Sequence, residues 1–99
     1  MAWYTTECLY RAEISGAPRQ DKQLFEHRYF LLAAEDDESA RKKALELAER
    51  KQHAYPNAYG ENVNWVLERV IDTQEVLADQ LLDETEIYHK YSDDPSHEL

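Results

Sequence analysis

Apolar and polar residues alternate along several stretches of this chain and recur at helical spacing along one. Residues 3–14, WYTTECLYRAEI, set Trp3 and Leu9 against Tyr4, Cys8 and Tyr10, and the run is rich in β-favouring side chains. Ser15-Gly16-Ala17-Pro18 ends it with a turn signal. Residues 22–34, KQLFEHRYFLLAA, form a second extended run in which Phe30 and Leu32 oppose Tyr29 and Leu31. Neighbouring strands of this kind pair antiparallel by default.

The pattern then changes period. Glu35-Asp36-Asp37-Glu38-Ser39 supplies an aspartate for the N-cap and acids for the first turn, where free backbone N–H groups and the helix dipole favour negative charge. Ala40, Ala44, Leu47, Ala48 and Lys51 fall on one stripe, while Arg41, Lys42, Glu46, Glu49 and Arg50 take the wet side. The small alanines let such a helix sit close to a sheet. Pro56 prevents continuation, so the helix ends near His53 or before it.

Alternation returns over residues 62–77. Val63, Trp65, Leu67, Arg69 and Ile71 are expected on one side, and Asn64, Val66, Glu68, Val70 and Asp72 on the other. Residues 79–84 read as a turn or short helical piece, and 85–91, TEIYHKY, as a fourth, shorter strand. The expected fold class is therefore α+β, a mainly antiparallel sheet of about four strands in the order β-β-α-β-β, with one helix packed on one face. Residues 1–91 form the single domain and 92–99 an acidic flexible tail. One helix covers one sheet face only. The second face, mixed and aromatic, implies a partner, most simply a second copy of the chain.

Charge sharpens this picture. The chain of 99 residues carries a formal net charge of −10, concentrated toward its C-terminal end. Phosphate-backbone binding needs clusters of Lys and Arg, so nucleic acid is excluded as a partner on electrostatic grounds. The acid either solubilises the surface or attracts a basic protein. Cys8 is the lone cysteine, so no disulfide within the chain is possible. No secretory signal and no apolar run of membrane-spanning length is visible, and the expected location is the cytoplasm, with no membrane partner.

Chemistry-bearing patterns are sparse. Two glycines cannot build a nucleotide-cradling loop. His27, His53, His89 and His97 show no metal-ligand spacing, and no metal or other cofactor is expected. Cys8 and His27 fall on strands expected to pair, which makes a thiol–imidazole dyad conceivable, but a packed strand cysteine is the simpler reading. Glu7, Arg11, Glu13, Glu26, Arg28, Glu68 and Arg69 suggest cross-strand ion pairs on an exposed face. The densest pattern is YPNAYGENVNW, residues 55–65. Pro56 as a stop, Asn57 as a turn residue and Gly60 with φ > 0 make it a stiff bend. The competing reading groups Tyr55, Tyr59 and Glu61 beside a ligand.

Trp3-Tyr4 opening the first strand, the acidic helix start with Ala-rich turns, Tyr59-Gly60-Glu61-Asn62-Val63-Asn64-Trp65 and the late Glu86-Ile87-Tyr88 resemble, in that order, a family of small bacterial proteins catalogued as domain of unknown function 4288. The resemblance covers roughly residues 3–91. It implies an independently folding bacterial domain and brings no catalytic residues with it. The sequence thus favours a non-enzymatic interaction or self-assembly module, a homodimer or a partner of a basic protein, over an enzyme. The alternative is a small ligand-binding or enzymatic domain with its pocket near the helix-to-strand loop. Trp3, Tyr55, Tyr59, Glu61 and Trp65 are the candidate interaction or ligand residues; no catalytic residue is assigned.

Overall fold

A computed structural model describes residues 1–15, 23–78 and 80–91 of the chain. Strands β1 (Ala2–Ser15) and β2 (Phe25–Ala34) are followed by helix α1 (Asp37–Arg50), a short strand β3 (His53–Pro56) and the long β4 (Asn62–Glu75). All pairings are antiparallel, in the spatial order β2-β1-β4-β3. The expected α+β class, the four-stranded sheet and the order β-β-α-β-β are all present. The tail assigned to residues 92–99 lies outside the described residues.

Helix α1 begins where the acids announce it. Asp36 is the N-cap, and its Oδ1 accepts from Ser39 N at 2.8 Å, which holds the Asp36 carboxyl below its usual range. Ala40, Ala44 and Ala48 are fully buried against the sheet. Two adjoining clusters make the core on this helix face. One holds Cys8, Tyr10, Ala12, Ala48, Val63 and Trp65, the other Tyr4, Leu32, Ala34, Ala40 and Ala44, and Val70 packs against both. The two buried tyrosines satisfy their hydroxyls on the helix: Tyr10 donates to Ala48 O at 2.8 Å, and Tyr4 donates to Asp37 Oδ1 at 3.1 Å.

Three features depart from the simple alternating pattern. The fourth strand is residues 53–56, not 85–91. The later segment joins neither sheet edge; it crosses the face opposite α1 and bonds to side chains there, so its alternation never becomes a ladder. Next, the register of β4 on β1 slips between Glu7 and Cys8 and again between Leu9 and Tyr10. Each slip inserts an extra β4 residue, Ile71 and Glu68 respectively, and shifts the alternation by one. Val63, Trp65 and Leu67 face the helix as expected, but Val70 then takes the place expected for Arg69 and Ile71. Finally, Cys8 lies opposite Arg28 while His27 lies opposite Leu9. Residues one apart on a strand point to opposite faces, so Cys8 and His27 form no dyad. Burial raises the Cys8 thiol above its usual range, as suits a packed core cysteine.

Candidate functional site: a buried carboxylate beneath a C-terminal strap

The face opposite α1 carries Trp3, Thr5, Glu7 and Leu9 from β1, His27, Tyr29 and Leu31 from β2, and Asp72 and Gln74 from β4. The chain returns across it after β4 as an extended strap. Val76 N donates to Trp3 O at 2.8 Å, Thr5 Oγ1 donates to Ile87 O at 2.9 Å, and Gln74 Nε2 donates to His89 O at 2.8 Å. A turn at 83–84, with Glu84 at φ +69°, brings the strap back. Residues 74–78 and 85–89 line a cavity of about 250 Å³ between its two limbs.

Glu7 sits beneath this strap and is 1% exposed. An ionised carboxylate so deep needs donors on both oxygens. His27 Nδ1 donates to Oε2 at 2.8 Å, and Tyr88 Oη donates to Oε1 at 3.0 Å. Lys90 Nζ approaches Oε1 at 3.4 Å. Burial raises the Glu7 carboxyl, but the bonds from His27 and Tyr88 and the Lys90 charge outweigh it, and the net shift is downward. Tyr88 is pushed up, first by burial and then by the Glu7 and Asp72 carboxylates, so its hydroxyl keeps its proton and remains a donor. The Tyr29 ring meets that of Tyr88 edge to face at 5.6 Å.

This cluster joins residues from β1, β2, β4 and the strap. The sequence offered Glu7 as a candidate for cross-strand ion pairing on an exposed face and His27 as a partner for Cys8, but did not bring the two together. The pairing of Glu7 with both His27-bearing β2 and Asp72-bearing β4 follows from β1 being central, which sequence spacing does not reveal. Among the described residues, no group of three His, Cys, Asp or Glu side chains is arranged to hold a metal ion.

The residues singled out from the sequence are dispersed. Trp65 is buried in the helix-side core, and Trp3 is partly exposed on the strap side. Tyr55 lies on edge strand β3 with its ring stacked on His53 at 5.9 Å, and Tyr59 is 86% exposed. The stretch between them is the turn of the β3–β4 hairpin. Asn57 Oδ1 accepts from Tyr59 N at 2.9 Å and Glu61 N at 3.0 Å, and Asn57 Nδ2 donates to Glu61 Oε1 at 2.7 Å. Gly60 takes φ +77°, a conformation that side chains disfavour.

A family model described as domain of unknown function (DUF4288) matches residues 3–89. The chain belongs to the DUF4288 family. No curated protein and no solved structure matches it. The match spans the four strands and the strap through Tyr88, so in this DUF4288 chain Glu7, His27, Asp72 and Tyr88 lie within the family's own domain, and Lys90 lies just past the matched residues. No helix among the described residues is long and apolar enough to cross a membrane.

Proposed function

We propose that this domain is a cytoplasmic, non-enzymatic interaction module that assembles through the outer edge of β2 and the uncovered part of the face opposite α1. The observation that carries this reading is the side-chain row on β2. Phe25, Tyr29 and Leu31 are 46%, 57% and 46% exposed on one face of a ten-residue strand that ends the sheet. Trp3 adjoins them on β1, opposite Ala33. The strap covers Glu7 and Thr5 and touches Tyr29 through the Tyr88 ring, but about half of each side chain in this row stays exposed. Apolar rings beside a strand edge that no other strand pairs among the described residues are the features through which sheets recruit a further strand.

The test is sedimentation velocity across about 1–100 µM protein. The wild type sediments as a dimer within that range, and Phe25→Asp, which places charge on an exposed position, shifts it to monomer without loss of fold. A monomer at every concentration overturns self-assembly. Salt separates the two kinds of partner. A complex with a basic protein weakens as salt screens its attraction, whereas two chains of net charge −10 repel, so their dimer is not lost on adding salt.

The other reading is a ligand-binding or enzymatic domain with its pocket beside Tyr55, Tyr59 and Glu61. The stacked His53 and Tyr55 rings favour it. The polar groups of Asn57 and Glu61, however, are engaged in holding the turn. We favour assembly for that reason.

A further inference from the structure

Resting on that assembly reading, we infer that two copies join β2 to β2 about a two-fold axis through His27, placing Glu26 opposite the partner's Arg28 and making one continuous sheet.

The backbone settles which groups face outward. Ala12 N donates to Leu24 O, so Leu24 and the even-numbered residues of β2 direct their N–H and C=O groups to β1. The odd-numbered residues direct theirs to the outer edge. Lys43 Nζ independently marks that edge by donating to Ala33 O at 2.8 Å, which also closes it at one end. Phe25, His27, Tyr29 and Leu31 are left as the outward-facing donors and acceptors.

A two-fold antiparallel pairing of this edge is centred on one residue, and charge discriminates among the centres. Centring on Glu26 sets Glu26 against itself. Centring on Arg28 sets Arg28 against itself. Centring on Tyr29 brings Glu26 opposite Leu32 and Arg28 opposite Phe30, and it requires the Ala33 carbonyl that Lys43 already occupies. Only the His27 centre sets unlike charges together, and it does so twice. Like charges directly opposite are destabilising, and unlike charges stabilising.

The remaining pairs fit the same centre. Phe25 meets the partner's Tyr29 on the strap side, an aromatic cross-strand pair, and about six backbone bonds form from the three pairs 25–29, 27–27 and 29–25. Glu26 and Arg28 fall at the non-hydrogen-bonded positions, where strands approach most closely and side chains interact best. Within one chain these two groups are not well satisfied by each other. Their closest approach is 3.8 Å, and the Glu26 Oε1 atom is buried with no hydrogen-bond partner among the described residues. The Arg28 guanidinium donates to Lys51 O at 3.1 Å and lies over the Tyr10 and Phe30 rings, which holds it at the edge with N–H groups to spare.

The experiment uses three proteins: wild type, Glu26→Arg and Arg28→Glu. The wild type is dimeric. Each variant alone is monomeric, because each brings two like-charged pairs into the interface. Mixed in equal amounts, the two variants form a heterodimer, since every opposed pair is again of unlike charge. Dimers of both single variants overturn the register while leaving self-assembly standing, as does a mixture that stays monomeric. A monomeric wild type overturns both.

Arg28 also packs in the monomer, so a second pair of variants covers the case in which Arg28→Glu does not fold. His27→Cys stands opposite itself at the axis, with Cα atoms about 5.5 Å apart, within disulfide range. Oxidation therefore cross-links it. Tyr29→Cys stands away from its own copy and stays uncross-linked. The reverse result overturns the register.

Discussion

Replacing Glu7 by Gln gives the sharpest test of how the strap is held. The change keeps the shape and removes the charge from a side chain that is buried against donors from β2 and the strap. A hydrogen bond to a charged group contributes about 1.5–3 kcal/mol, and Glu7 has such bonds from His27 and Tyr88 together with the longer Lys90 contact. His27 and Lys90 are themselves half-exposed and recover water when released, so the full sum does not apply. A loss of about 2–3 kcal/mol at neutral pH follows. With a urea dependence of about 1–2 kcal/mol per molar, the unfolding midpoint falls by about 1–3 M.

The acid dependence gives a second, independent reading of the same change. The Glu7 carboxyl is lowered in the folded state from its ordinary 4.5. Its contribution is therefore complete above about pH 5 and is lost as pH falls through the folded value. Glu7→Gln lacks that contribution throughout, so the gap between the two proteins narrows as pH falls below about 5 and on through the lowered folded value. Carboxylates away from this cluster keep the same surroundings in both proteins, so their contributions cancel in the difference. Urea unfolding followed by circular dichroism at several pH values measures it. A gap under about 0.5 kcal/mol at pH 7, or one that does not close in acid, refutes the electrostatic account of the clasp.

Three further outcomes are expected. Ala44→Leu forces a larger side chain between α1 and the sheet, where Ala44 is fully buried, and lowers unfolding stability by about 1–3 kcal/mol. Gly60→Ala meets no neighbouring atom, so its effect is backbone strain alone at φ +77°, about 1 kcal/mol, read from the shift in thermal midpoint. Tyr88→Phe removes the hydroxyl that bonds Glu7, and amide hydrogen exchange then speeds up over residues 85–90 while β1 and α1 keep their protection; equal acceleration in α1 would show that the strap and the core open together.

The helix and the two long strands on either side of the sheet's centre were legible because local rules decide them. Asp36 is a capping residue at the head of an alanine stripe, and no tertiary contact is needed to read either. Pro56, Asn57 and Gly60 announced a stiff bend for the same reason, expected to lead from helix to strand; it is the turn of a hairpin because a short strand, not legible in the sequence, precedes it. His53–Pro56 is four exposed residues, too few for any periodicity to show. Residues 85–91 carry a strand's alternation, yet whether a free edge awaits them depends on the whole sheet. The bulges at Glu68 and Ile71 are likewise set by the partner strand's register. Glu7 is the clearest case. A glutamate in an alternating strand reads as exposed, and only the strap, bringing Tyr88 and Lys90 back from the far end of the chain, turns that position into the most buried charge among the described residues. The expectation of a partner for the second face came from the mixed, aromatic alternation of β1 and β2, in which Tyr29 and Leu31 stood out; that Phe25, Tyr29 and Leu31 line a sheet edge depends on the strand order, which spacing does not reveal.

The central position of β1 also bears on how the chain folds. Its neighbour β4 pairs Tyr4 with Glu75 and Ser15 with Asn62, so the middle of the sheet is closed by the two ends of the domain. The β1–β2 hairpin needs only a short loop closure, but β4 must search across most of the chain. During synthesis, β1 and β2 emerge with one flank of β1 unpaired and with α1 lacking the β4 side of its platform. Folding is then expected to be cooperative and late. The docking of β4 sets its rate, and a nascent chain ending at residue 61 exposes a strand edge that invites aggregation.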